Sequence, residues 1–155
     1  MTELTGVSWL KEIESHVAGD DGLGVLRVAK FTFDAGVVAN RPIGAHGTGV
    51  TLPADAIVCG GFFDVNTLFT SASTNTGTIA ISVQSANDIQ AAAAVSGAPY
   101  SSIGRKAIVP KANTPESTSV KTTTAKEITC TVAVAALLTG KLTGYLYYIE
   151  GIPSA

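Results

Sequence analysis

"EITCTVAVAALLTGKLTGYLYYIEG", Glu127 to Gly151, is the stretch whose reading decides the fold. In its first half Ile128, Cys130, Val132 and Val134 fall on one side of an extended chain, because side chains alternate with period two. Thr129, Thr131, Ala133 and Ala135 fall on the other. That is the pattern of a half-buried strand. Gly140 in "LLTGK" supplies permissive backbone for a turn, and "LTGYLYYIE" returns as a second strand. The expected unit is a hairpin whose Thr-rich face meets water or another subunit.

The same period runs backward through the chain. "VLRVAKFTF" places Val25, Arg27, Ala29, Phe31 and Phe33 on one face and Leu26, Val28, Lys30 and Thr32 on the other. "TGVTL", closed by Pro53, is a second strand. "AIVCGGFFDV" is a third, with Gly60-Gly61 marking a bulge or close backbone approach. "TSASTNTG" (70–77) is a polar loop, and "TIAISVQ" turns Ile79, Ile81 and Val83 inward. "ANDIQAAAAV" reads as a short helical or irregular excursion with Asn87 or Asp88 as its cap, and its alanines as filler. "KAIVP", "TSVKTT" and the two closing strands complete eight. Eight short strands punctuated by turns predict an all-β, eight-stranded β-sandwich, most simply a jelly roll. An immunoglobulin-like sandwich is the alternative, but its Cys…Trp…Cys spacing is missing because the only tryptophan is Trp9.

The first residues differ. In "SWLKEIESHV" Ser8 can cap a helix, and Leu10, Ile13 and Val17 recur at helical spacing, flanked by Val7 and Trp9. Charge gathers here too, at Glu3, Lys11, Glu12, Glu14, Asp20 and Asp21. The glycines of "AGDDGLG" then stop the helix. A helix this short is not stable alone in water, so its stripe must dock on something. The chain therefore divides into a helical arm, residues 1–24, and a sandwich, residues 25–155. Val7, Trp9, Leu10, Ile13 and Val17 are the candidate partner-binding residues.

Composition narrows the function classes. Charged residues are 14% of the 155, against about 25% in ordinary soluble domains. Such a surface suits contact with copies or a partner. A net charge of −2, without a basic face, argues against nucleic acid. The charge-free stretch Val65–Asn87 is too rich in Ser, Thr and Asn to span a membrane. Glu3, Lys11, Glu12 and Glu14 interrupt any apolar leader, so synthesis in a cytoplasm is expected.

The search for chemistry finds little. His16 and His46 are the only histidines, and neither lies in a nucleophile elbow or a His-Glu-x-x-His pair. A small hydrolase using His46 needs a cleft that brings a serine and a carboxylate to it. "GAHGTG" (44–49) lacks the Gly-Lys-Ser/Thr ending of a phosphate loop and runs into a strand. Asp20, Asp21, Asp34, Asp55, Asp64 and Asp88 form no calcium-loop pattern. Cys59 and Cys130 lie in apolar runs and are expected to be buried and reduced, with a bridge between them as the alternative; two cysteines without close-spaced partners make no zinc site. No catalytic residue, metal or cofactor is expected.

Several short segments carry a family likeness. They are Leu52-Pro53 with Ala56 and Ile57, "FDV" (63–65), "FTSA" (69–72), "TIAI" (78–81), "SANDI" (85–89) and "VAVAALLTGK" (132–141). Over residues 28–151 the chain resembles capsid decoration, or cement, proteins of tailed bacteriophages. The resemblance implies a β-sandwich that oligomerises, often as a trimer, beside the major capsid protein at capsomer junctions on the outer surface of the virion. It brings no catalytic residues. A tail or head-fibre module that binds a receptor or glycan is the rival, and an exposed aromatic cluster with converging polar groups would favour it.

Overall fold

The computed structural model describes residues 26–111 and 119–150. The proposed arm, with Val7, Trp9, Leu10, Ile13 and Val17, lies outside the described residues. Nine strands follow in order: β1 (Leu26–Asp34), β2 (Gly44–Leu52), β3 (Ala56–Ser71), β4 (Thr78–Ser82), β5 (Gln90–Ala94), β6 (Gly104–Ile108), β7 (Val120–Lys121), β8 (Lys126–Ala133) and β9 (Leu137–Glu150). Eight of them form two antiparallel four-stranded sheets, ordered β1-β9-β3-β6 and β2-β8-β4-β5, and the two-residue β7 adds to β3. The chain steps from one sheet to the other at nearly every connection, which is the winding of a jelly roll.

The core is what the alternation predicts. Ala29, Phe31 and Phe33 of β1, Ile79 and Ile81 of β4, and Ile128, Cys130 and Val132 of β8 are all buried between the sheets. Phe33 stacks on Phe69 at 6.2 Å, and Tyr100 packs against both Phe63 and Phe69 at 5.8 Å. Each such ring contributes about 1.5–3 kcal/mol by burial, and each pair about 1 kcal/mol more. Through Tyr100 these rings tie the loop before β6 to the β1-β9-β3-β6 sheet.

Five expectations are corrected: the closing hairpin, its turn at Gly140, the inward Val134, the 86–95 excursion and the buried Cys59. The closing pair is no hairpin, because β8 belongs to one sheet and β9 to the other. The chain turns earlier than Gly140. Val134 takes a left-handed φ of 69° and is 67% exposed, so the phase breaks and Ala135, not Val134, is buried. Gly140 lies inside β9, where any Cβ would enter the ring of Phe69.

The 86–95 segment, expected to be helical or irregular, contains a strand instead. Gln90–Ala94 form β5, pairing with β4, so cross-strand hydrogen bonds override the helix preference of four alanines. Cys59, finally, is exposed while Cys130 is buried. The register of β3 shifts between Val58 and Gly60, and this bulge leaves Cys59 on the outer side.

Burial pushes the Cys130 thiol from 9.0 up to about 12. Burial, and secondarily Cys130, raises the Tyr100 hydroxyl well above its ordinary 10.0. Both groups stay protonated in the fold and ionise in the unfolded chain from pH about 9 and 10 upward. Their contribution is therefore complete below pH 9 and declines as pH climbs toward the folded values. With a slope of about 1.4 kcal/mol per pH unit per group, a loss of about 2–3 kcal/mol by pH 10.5 is expected. Urea melts at pH 8, 9.5 and 10.5 measure it, and Cys130→Val should remove the part that begins near pH 9.

Candidate interaction surfaces

The histidine offered for catalysis has other neighbours. His46 sits on the edge strand β2, opposite Cys130 in register. Its Nε2 is 2.7 Å from the Pro42 carbonyl oxygen, and its ring centroid is 6.0 Å from that of Phe33. A ring held between a backbone carbonyl and a core phenylalanine is a strand-edge packing residue. His16 lies outside the described residues.

The glycines of "GAHGTG" likewise serve the strand. The Glu127 carboxylate lies over Gly47, where a Cβ would collide with it, and accepts the Gly49 N–H at 2.7 Å.

Among the described residues the aspartates are committed to protein partners, and Asp20 and Asp21 lie outside them. Asp34 pairs with Lys141, Asp55 with Lys121 and Asp64 with Arg105, at 3.5, 3.2 and 3.2 Å. Being partly exposed, the Asp34–Lys141 and Asp55–Lys121 pairs are worth only about 0–1 kcal/mol each, and the Arg105 head group lies in water. Asp88 binds backbone instead. Among the described residues no cluster of three or more metal-ligating side chains forms, and no helix is long and apolar enough to cross a membrane.

What the fold presents is surface. On the outer side of the β1-β9-β3-β6 sheet, register aligns side chains in rows. Leu26, Ile149 and Ile57 form one row, and Val28 lies beside Tyr147 in the next. Lys30, Tyr145, Phe62 and Ala107 form a third, and Thr32, Thr143, Asp64 and Arg105 a fourth. Phe62 stacks on Tyr145 at 4.8 Å and meets Tyr147 edge-on at 6.1 Å. Arg105 lies over Phe62, 4.3 Å from its centroid, and Lys30 stands 5.9 Å from that of Tyr145. Leu26 and Val28 are more than half exposed. The outer faces of antiparallel sheets are normally polar, so an apolar one marks a contact.

The outer side of the other sheet is small and neutral where it is open, with rows of Ala45 and Thr131, and of Gly47 and Thr129, while Ala80 and Ser82 beside them in β4 are buried. This is the Thr-rich face that the alternation of β8 predicts.

One end of the sandwich is also apolar. Val37, Val38 and Ile43 between β1 and β2, Val134 at the β8–β9 corner, and Leu68 and Leu138 on the flanking strands are all exposed. Main-chain bonds from Leu137 to Arg41 and from Ala35 to Gly140, each 2.9 Å, hold these loops together.

Alternation alone assigns Tyr145, Tyr147 and Tyr148 to strand packing. Tyr148 does pack against the core, but Tyr145 and Tyr147 face outward with Phe62. The available signal was "FF" at 62–63 and "YLYY" at 145–148, where both faces of a strand are apolar.

No family model and no curated protein matches the sequence. The fold does match solved structures. A chain of the acidic stable capsid structure of Helicobacter pylori bacteriophage KHP30 aligns at TM-score 0.55 and 18% identity, over 86% of this chain and 92% of that one. A chain of the cyanophage Pam1 capsid asymmetric unit aligns at 0.57 and 17%, over 80% and 84%. A chain of the capsid of Ralstonia phage GP4 aligns at 0.56 and 19%, over 85% and 88%. The chain thus shares a β-sandwich fold, across most of its length, with chains found in phage capsids.

Proposed function

We propose that this chain is a structural protein of a bacteriophage virion. It is a decoration or cement protein that binds the outer surface of the head at capsomer junctions, beside the major capsid protein, as a homotrimer. The observation that carries the reading is an apolar outer sheet face and an apolar end on a fold shared with capsid chains. The neutral Thr/Ala rows of the second sheet suit contact between copies, since they carry little charge to desolvate. The arm, through Val7, Trp9, Leu10, Ile13 and Val17, supplies a tethered contact with a partner.

Such a protein works by mass action. Binding the assembled lattice and not its dissociated subunits stabilises the shell by RT ln(1 + [L]/Kd), about 2.7 kcal/mol per site at a hundredfold excess over Kd. That opposes the pressure of packaged DNA without any chemistry. A glycan- or receptor-binding head module is the second reading, drawn from the Phe62–Tyr145–Tyr147 cluster. It is the weaker one, because Arg105 and Lys30 already lie over rings that a sugar would stack on.

The test is composition and geometry of purified heads. The protein should be present there in structural quantity, bind antibody on intact particles, and run as a trimer in light scattering at micromolar concentration. Heads lacking it should lose DNA at lower temperature. Recovery only in a tail fraction, or absence from heads, sinks the reading.

A further inference from the structure

We propose that the outer face of the β1-β9-β3-β6 sheet is the seat of residues 7–17 of an adjoining copy of this chain. The proposal rests on the reading of the protein as a self-associating virion component, and names the partner of its arm.

Dimensions support the pairing. The apolar rows run from Leu26 to Lys30, about 13 Å along the strands, and cross β1, β9 and β3, about 10 Å apart in total. A helix with the spacing of Leu10, Ile13 and Val17 is about 15 Å long from residue 7 to residue 17 and about 10 Å wide. One such helix covers the face. Its apolar stripe matches the exposed Leu26 and Val28 and the half-buried rings of Phe62, Tyr145 and Tyr147.

Charge agrees. The cations on the face are Lys30, over the Tyr145 ring, Arg105, paired with Asp64, and Lys121, paired with Asp55, so Lys30 is the complement to Glu12 and Glu14 on the polar side of the segment. The segment enters β1 at Leu26, whose side chain belongs to the first row. Residues 18–25 reach at most about 28 Å when extended. That exceeds the roughly 15 Å width of the four strands, so the link clears its own sheet and reaches the next one. Each copy supplies one stripe and offers one face. A closed ring therefore leaves no face uncovered, and the apolar end of the sandwich stays open to the shell.

The face carries its own probe. Cys59 is an exposed thiol there, with Sγ 3.5 Å from the Tyr147 carbonyl, and Cys130 is buried in the core. In full-length protein at micromolar concentration, Cys59 should react with a disulfide reagent at least about tenfold more slowly than in the full-length double variant Leu10→Asp/Ile13→Asp. Cys130 should stay silent in both, which reports that the sandwich is intact. In a separate Ile13→Cys variant, oxidation with diamide should link residue 13 to Cys59 between chains. Covalent dimers and larger species would then appear on a non-reducing denaturing gel and vanish with Cys59→Ser.

Equal Cys59 rates overturn the proposal. A link that forms within one chain and runs as a monomer overturns the assignment to an adjoining copy. Exposure of Cys130 in the double variant makes the segment part of the core, and also overturns it. Head binding is scored separately, so protected Cys59 without head binding fails the decoration reading and leaves this one standing.

Discussion

Replacing Gly144 by valine is expected to destabilise the sandwich by about 3 kcal/mol or more, against the direction of strand propensity. Propensity alone favours valine, because glycine in a strand interior has no side chain to pack and loses more backbone freedom on folding. The position decides otherwise. Gly144 lies on the central strand β9, opposite Phe31 on one side and Phe63 on the other. A Cβ added there falls within the Phe31 ring, closer than real atoms approach. Phe31 is 1% exposed and cannot swing outward without opening the core. Overpacking of this kind typically costs about 1–3 kcal/mol, and a branched side chain driven into a buried ring belongs at the top of that range or above. Urea unfolding reads the effect.

A second substitution separates sterics from any effect of the backbone. Phe31→Ala alone should cost about 3–5 kcal/mol through the cavity it leaves. Combined with Gly144→Val, part of that cavity is refilled, and a favourable coupling of about 1–3 kcal/mol is expected. Strict additivity of the two changes would show that the ring is not what excludes the side chain.

Which residues enter the core was legible wherever one face of a strand is apolar and the other is not. Phe31 and Phe33, Ile79 and Ile81, and Ile128, Cys130 and Val132 follow from period two alone. Period two gives a face, though, and says nothing about which sheet a strand joins. β8 and β9 read as a hairpin for that reason, and only Val134 in a left-handed conformation, a costly choice for a β-branched residue, marks the crossing between sheets. The bulge at Val58–Gly60 defeats the period differently. One extra residue reverses the phase, so Cys59 faces outward although its run is apolar.

The candidate surface was the least legible part. Phe62 beside Phe63, and Tyr145 and Tyr147 beside Leu146, make both faces of a strand apolar, and alternation of hydropathy then carries no signal. A surface built from cross-strand rows belongs to three distant stretches at once. Only the register of β1, β9 and β3 assembles it.

Asp88→Ala should cost about 3–5 kcal/mol, enough to lower Tm by about 10–15 °C in a domain of this size. The sequence marks Asp88 as a helix cap or a stray acidic residue, and the structure gives the carboxylate a different task. It is 2% exposed, and its two oxygens accept the backbone N–H groups of Val83, Gln84 and Ser85 at 2.8, 2.9 and 2.8 Å. Three donors that leave β4 with no strand partner are satisfied by one side chain. Alanine strands all three at once, at about 1–3 kcal/mol for each that water cannot reach. Val83 is itself buried, so its N–H carries the largest share. Asparagine keeps the shape but offers a single acceptor oxygen, and should fall between the two, which separates lost hydrogen bonds from lost volume. The damage should also be local before it is global. Asp88 holds the 83–89 turn that delivers Gln90 to pair with Ile81, and its carbonyl accepts the Lys111 N–H at 2.7 Å. Hydrogen exchange in β5 should therefore quicken in Asp88→Ala under conditions where β9 stays protected. Uniform loss of protection across both sheets would mean that the turn is no weaker than the core it closes.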